Sequence, residues 1–168
     1  MMDIPCRGNP RKATDAVYSE CLKPELILLP DDLAVCRLGP EAPIPEWALA
    51  DTFFSVTRTP QELSIVCPEA HLPADSSGFR VERGFRAFQV VGPLDFALTG
   101  LLSGLLAPLA RAAIPVFVLS TFDTDLILVP REKAERAAEA MGQIAVVRRS
   151  RLMKSVGRRR SARRRPGG

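Results

Sequence analysis

Cysteine and histidine are the side chains of this sequence that could bind a metal ion or supply a nucleophile, and their arrangement argues against both. The four cysteines, Cys6, Cys21, Cys36 and Cys67, form no CxxC pair, and His71 is the single histidine. A structural zinc site needs four such ligands, and a catalytic cysteine needs a partner that makes it a thiolate. We therefore expect no metal, no cofactor and no catalytic set, so the protein is not predicted to be an enzyme.

Two other residue groups favour structural roles over chemistry. Cys36 in LAVCRL and Cys67 in LSIVC lie in strand-like segments, where a reduced thiol behaves as a small apolar side chain. Gly100 and Gly104 lack both the Lys and Ser/Thr that follow a phosphate-binding loop and the spacing of a dinucleotide-binding turn. The sequence thus predicts no nucleotide site.

The basic character of the chain is confined to its C-terminal end. The formal net charge is +4, yet residues 1–147 contain 13 Lys and Arg against 19 Asp and Glu, whereas residues 148–168 contain ten basic residues and no acidic one. Such a segment has too few apolar residues to form a core, so we expect a disordered tail. Nucleic acid could bind only through this tail. The simpler interpretation is that the tail is a disordered extension that binds no partner.

The other end of the chain also lacks a folding pattern. Residues 1–23 mix proline, glycine and charged residues without periodicity, which predicts a disordered leader. No apolar run approaches the roughly 20 residues that cross a bilayer, and the first residues lack the apolar block of a signal peptide. We expect a soluble cytoplasmic protein with no membrane partner.

Short strands dominate the first half of the remaining chain. Apolar segments bounded by turn residues predict four strands, at 25–30, 33–38, 53–59 and 62–68. The segment PIPEWALA at 43–50 predicts a short helix opened by proline. Together with PEAHLP at 68–73 and a strand near 79–91, these segments can be interpreted as a degenerate βαββαβ unit.

The second half has a clearer pattern. Apolar runs predict strands at 85–92, 115–120, 126–130 and 143–147. A helix is predicted over 97–113, because its leucines recur on one face, and a second helix over 131–141 ends at Gly142. Asp95 lies just before the first helix, and a helix cap is its simplest role.

The order of these elements predicts the fold class. Strand, helix, strand, strand, helix, strand is the α+β, ferredoxin-like βαββαβ arrangement, with both helices on one face of a four-stranded antiparallel sheet. We expect two such units packed together, an N-terminal unit at 24–84 and a C-terminal unit at 85–147.

The segments FFSVTRTPQELSIVCPEAHLP and GPLDFALTGLLSGLLAPLA, with the hairpin STFDTDLILV, resemble small bacterial ACT-domain proteins. Those proteins are in turn similar to the ACT domains of cellular arginine sensors and of aspartate kinases. The likeness covers about residues 25–147 and excludes the leader and the tail. It implies a regulatory module that binds an amino acid between two ACT-like units and forms a homo-oligomer, although this sequence carries no attached enzyme domain.

The resemblance also implies where the ligand binds. In ACT domains the pocket lies between the turn that follows the first strand and the facing end of the second strand. The matching residues here are Gly92, Pro93, Leu94, Asp95, Phe96, Thr99, Gly100, Ser120, Thr121, Phe122, Asp123 and Thr124.

These residue types suit an amino acid. Backbone N–H groups at a helix start can bind a carboxylate without a lysine. Asp95 or Asp123 could receive the ammonium group, and Phe96 or Phe122 could line the side-chain wall. For Asp123 and Asp125, which flank the hairpin, ordinary turn chemistry is at least as good an interpretation as ligand contact. A protein–protein adaptor without a small ligand is the remaining alternative.

Overall fold

The computed structural model describes residues 23–49 and 53–150, which form eight strands, two α-helices and three short 3-10 helices. The strands are β1 (Glu25–Leu28), β2 (Leu33–Leu38), β3 (Ser55–Arg58), β4 (Leu63–Pro68), β5 (Arg80–Val90), β6 (Phe117–Ser120), β7 (Asp125–Pro130) and β8 (Val146–Arg149). The α-helices are α1 (Leu101–Arg111) and α2 (Ala134–Gly142), and the 3-10 helices are Glu46–Leu49, Glu69–His71 and Arg131–Lys133. The predicted disordered leader (1–23) and disordered tail (148–168) lie outside the described residues except at their inner ends. Lys23 and Ser150 are described, and Arg148 and Arg149 of the predicted tail belong to β8 instead.

Strand β5 is shared by both halves of the molecule. Its first residues pair with β2, from Arg80 opposite Arg37 to Phe85 opposite Leu33. Beyond Phe85 it pairs with β1 on one edge and with β7 on the other. Gly84 has a φ of 80°, a left-handed conformation that glycine adopts without strain, at the point where the partners change. The two strands predicted near 79–91 and at 85–92 are therefore this single strand, whose bounds are close to the first prediction.

The second half has the predicted ferredoxin-like ACT fold with one additional strand. Its sheet runs β6-β7-β5-β1-β8, and β1 lies between β5 and β8, antiparallel to the former and parallel to the latter. The sheet thus has five strands here instead of the predicted four, because an apolar pattern predicts a strand without specifying its neighbours. Strand β8 continues to Arg149, whose side chain forms an ion pair with Glu135.

The first half has the same strand order, and its described residues form no α-helix. Its sheet runs β3-β4-β2-β5. The helix predicted at 43–50 is only the 3-10 helix Glu46–Leu49, and PEAHLP forms the 3-10 helix Glu69–His71. Both segments are short and interrupted by prolines, which lack the N–H group that a longer helix requires. Trp47 stacks on Phe79, with ring centroids 5.2 Å apart, over this half of the sheet.

The core lies on both faces of the sheet. On one face, Leu101, Leu105 and Leu109 of α1 pack with residues of α2 such as Met141. Both α-helices therefore cover the same face, as predicted. On the opposite face, Leu128 is fully buried in a second cluster, whose other buried members are Leu33, Val66, Ala87 and Leu126. This cluster joins strands of the two halves.

Candidate functional site

An open cavity lies between the segment that follows β5 and the hairpin that joins β6 to β7. Its volume is about 350 Å³. It is lined by Leu94, Asp95, Phe96, Leu98, Gly100, Leu101, Leu102, Ser103, Ser120, Thr121, Phe122, Thr124 and Asp125. The two segments that were predicted to converge at one edge of the sheet do so.

Backbone contacts at Asp123 hold the two walls of the cavity together. The Leu94 N–H group donates a hydrogen bond of 2.8 Å to the carbonyl oxygen of Asp123. A Cβ atom at Gly92 would lie only 2.2 Å from that oxygen, so only glycine permits this approach. The Thr124 hydroxyl donates to the Val90 carbonyl oxygen and ties the hairpin to the end of β5. Asp123 and Gly92 therefore shape the site through their backbones.

The hairpin is fixed by its own hydroxyl groups. The Thr121 N–H and Oγ1–H groups both donate to the Thr124 carbonyl oxygen, at 2.8 and 2.9 Å. Ser120 Oγ donates a 2.5 Å hydrogen bond to Oδ1 of Asp125. Because Asp125 also lines the cavity, the hairpin contributes a carboxylate to the site from a defined position.

The amino end of α1 forms one end of the cavity, and it begins later than predicted. The helix starts at Leu101, after Gly100 with a φ of 86°, instead of near Ala97. No side chain caps this end, although Ser103 and Gly100 are linked by a 2.9 Å hydrogen bond from the Ser103 hydroxyl to the Gly100 carbonyl oxygen. The first-turn N–H groups and the positive end of the helix dipole thus remain available to an anion.

Asp95 does not cap α1, which corrects the role predicted for it. Its Oδ1 atom accepts a 2.8 Å hydrogen bond from the Ala97 N–H group, and the Asp95 carbonyl oxygen accepts one from Leu98. These bonds form a turn that precedes the helix. The sequence pattern placed Leu98 on the apolar helix face, but this residue is 52% exposed and lies in the turn. The Asp95 carboxylate lines the cavity instead of the helix end.

Two aromatic rings meet at the mouth of the cavity. Phe96 and Phe122 are in edge-to-face contact, with ring centroids 5.0 Å apart. They are 76% and 78% exposed, which makes them the most exposed large apolar side chains of the described residues. Phe96 belongs to the turn and Phe122 to the hairpin, so their contact joins the two walls of the cavity. The exposed parts of both rings form an apolar surface.

The lining is acidic. Asp95 and Asp125 contribute carboxylates, and none of the described residues around the cavity is Lys, Arg or His. The arrangement can therefore bind a cationic group by its carboxylates and an anionic group by the α1 amino end. Within residues 23–49 and 53–150, no group of three or more His, Cys, Asp or Glu side chains could hold a metal ion. No helix in the same ranges is long and apolar enough to span a membrane.

Most of the predicted site residues lie at this cavity. Eight of the twelve line it, and the four that do not are Gly92, Pro93, Thr99 and Asp123. Prediction missed five lining residues, namely Leu98, Leu101, Leu102, Ser103 and Asp125. The leucines had been assigned to the core by their spacing, whereas Asp125 begins β7 and had been treated as a turn residue.

Two family models match the chain. One, described as an ACT domain, matches residues 80–142, and the other, described as an N-terminal domain, matches residues 31–75. The crystal structure of protein Atu0741 from Agobacterium tumefaciens is 32% identical, with a TM-score of 0.72 over 80% of this chain and 98% of that one. The chain belongs to the ACT-domain family.

Two further relatives extend the comparison. The regulatory subunit of aspartate kinase from Thermus thermophilus shares the ACT fold, with a TM-score of 0.50 and 13% identity over 68% of this chain and 93% of that one. The human protein CASTOR3P is 36% identical over 89 residues. That match covers 46% of this chain and only 53% of the human protein. The predicted family and fold are thereby confirmed for this ACT-domain protein.

Proposed function

We propose that this protein is a non-catalytic regulatory module that binds a free amino acid in the cavity between the turn after β5 and the β6–β7 hairpin. The observation that carries the proposal is the combination of groups around that cavity. An uncapped helix end, two carboxylates and an aromatic pair surround about 350 Å³ of space. That volume falls in the range of small-molecule sites.

In this proposal the ligand's carboxylate binds at the amino end of α1. The N–H groups of Leu101, Leu102 and Ser103 belong to the first helical turn, where backbone donors have no partner within the helix. These donors and the helix dipole together stabilise a negative charge. No lysine or arginine is then required, which agrees with the acidic lining.

The ammonium group would bind to the carboxylates on the other side of the cavity. Asp95 uses Oδ1 to accept the Ala97 N–H group, and Asp125 uses Oδ1 to accept the Ser120 hydroxyl. Both carboxylates are held in position by these bonds, and each retains acceptor capacity for an ammonium donor. The ligand's side chain would then contact Phe96 and Phe122.

Regulation would follow if a second ACT-like unit covers the cavity. Phe96, Leu98 and Phe122 expose apolar surface at its mouth, and an exposed apolar patch is typical of an interface. We take residues 24–84 and 85–147 as two such units joined by β5, and we propose that the protein forms a homo-oligomer. A ligand that contacts both sides of an interface stabilises the docked state by its differential affinity.

Binding can be tested with two matched variants. Asp75 and Asp95 are both exposed and both accept the N–H group of the residue two positions later, Ser77 and Ala97 respectively. Asp95→Ala and Asp75→Ala therefore remove the same kind of turn bond, but only Asp95 lines the cavity. Thermal shifts with the twenty amino acids would first identify a ligand, and calorimetry would then compare the variants.

The proposal predicts that Asp95→Ala weakens binding by about tenfold to a hundredfold, since a hydrogen bond to a charged group contributes about 1.5–3 kcal/mol. Asp75→Ala should leave affinity unchanged. Equal affinities for both variants, or no response to any amino acid, would contradict the proposal. A native mass spectrum of the wild-type protein, with and without the ligand, would test whether occupancy increases the oligomeric fraction.

A further inference from the structure

Two cysteines lie side by side in the core of the first half, away from the cavity. Strands β2 and β4 are antiparallel, with Cys36 opposite Ile65 and Cys67 opposite Ala34. The two cysteines are therefore diagonal neighbours on the same face of the sheet. Both are free thiols with no solvent-exposed surface.

The two sulfur atoms have different environments. The Cys36 thiol donates a hydrogen bond to the Cys67 sulfur, which lowers the pKa of Cys67, and the positive charge of Arg83 acts in the same direction. The same hydrogen bond raises the pKa of Cys36, whereas burial raises and the Arg83 charge lowers the pKa of both thiols. The hydrogen bond therefore favours the thiolate on Cys67, and the thiolate is the reactive form of a cysteine.

The described segments that cover this pair are short and include no α-helix. On the other half of the sheet two α-helices cover the core, but here Ala48 and Trp47 of the 3-10 helix Glu46–Leu49 pack over it with Phe79. Short segments with few regular hydrogen bonds open locally at a lower free energy than α-helices do. A small oxidant could reach the thiols through such openings without unfolding the whole domain.

We propose that Cys36 and Cys67 form a thiol pair that hydrogen peroxide oxidises to a disulfide linking β2 to β4. The deprotonated Cys67 sulfur attacks one peroxide oxygen and the O–O bond breaks, which gives a sulfenic acid and hydroxide; hydroxide takes up the proton lost from Cys67 and becomes water. The Cys36 sulfur then attacks the Cys67 sulfur, and the sulfenic OH leaves with the Cys36 proton as a second water. The cysteines lose two electrons, and the peroxide gains them.

The strands must adjust slightly for this bond to close. Diagonal neighbours on antiparallel strands typically have Cα atoms about 7–8 Å apart, whereas disulfides rarely span more than about 6.8 Å. Formation of the bond therefore requires a displacement of about 1 Å between β2 and β4. Such a bond carries some strain, and we expect dithiothreitol to reduce it readily.

Mass spectrometry of the full chain can test the proposal. Cys6→Ser and Cys21→Ser remove the other thiols. The folded protein is treated with hydrogen peroxide, and the remaining thiols are then alkylated in denaturant. We expect a product that has lost two hydrogen atoms and takes up no alkylating reagent. Trypsin cleavage after Arg37 and Arg58 should leave the Cys36 and Cys67 peptides joined until dithiothreitol separates them.

Single substitutions and urea separate this proposal from incidental oxidation. With Cys36→Ala, Cys67 should stop at the sulfenic acid and be trapped by dimedone. With Cys67→Ala, the remaining Cys36 has no thiol partner, so peroxide treatment should again give no disulfide within the chain. Two results would overturn the proposal, namely both thiols remaining fully alkylable after peroxide treatment, or a disulfide that forms no faster in the folded wild-type pair than in urea.

Discussion

Replacing Gly92 by alanine should both destabilise the protein and weaken amino acid binding. The added Cβ atom would lie 2.2 Å from the carbonyl oxygen of Asp123, a distance that real Cβ contacts essentially never show. The hairpin must move away by about 1 Å, which lengthens the 2.8 Å bond from Leu94 to Asp123. Crowding of this kind costs about 1–3 kcal/mol of unfolding free energy. Separation of the walls should reduce affinity by about tenfold, or 1.4 kcal/mol.

Urea unfolding and calorimetry with the bound amino acid measure these two effects. Gly78→Ala is the control, because an added Cβ atom at Gly78 meets nothing within 4 Å and the residue lies outside the cavity. Its stability should change by less than about 0.5 kcal/mol and its affinity should not change. The reasoning would be refuted if Gly92→Ala matched this control in both measurements.

Three other predictions concern the core, the junction of the halves and the tail. Leu128→Ala should lower the free energy of unfolding by about 2–5 kcal/mol in urea, and a cost below about 1 kcal/mol would mean that the helix-free sheet face is not buried. Asp32→Asn removes the carboxylate that forms a 3.0 Å ion pair with Arg131 and lies 3.9 Å from the half-buried Arg86, and it should cost about 1 kcal/mol by the same assay. Glu135→Gln, in an exposed pair, should cost almost nothing, and equal costs would contradict this. Deletion of residues 151–168 should abolish any salt-dependent RNA binding in a filter assay, and binding that survives would place it on the acidic body.

Element types were largely predictable, because apolar periodicity is a local property. The strand LAVCRL has the predicted bounds Leu33–Leu38, and Leu101, Leu105 and Leu109 face the core at helical spacing. The start of α1 was wrong because Leu98 continues the same spacing. Gly100, in a left-handed conformation, ends the preceding turn and so delays the start of the helix. The spacing of leucines carries no information about this backbone conformation.

Strand neighbours and the full cavity were less predictable. The insertion of β1 between β5 and β8 depends on long-range pairing that no local pattern specifies. Overlapping strands were predicted near 79–91 and at 85–92, but the predicted unit boundary at 84/85 divides β5, which pairs with strands of both halves. Asp125 was not among the predicted site residues, since its position depends on the Ser120 hydroxyl across the hairpin.

Backbone amide chemical shifts provide the most direct test of the proposed ligand site. The labelled protein would be titrated with the amino acid that gives the largest thermal shift. The account predicts that the largest changes occur at Leu101, Leu102 and Ser103, whose N–H groups would bind the carboxylate, with smaller changes across Thr121–Thr124. Changes centred on the first half of the chain, or none at saturating ligand, would contradict it.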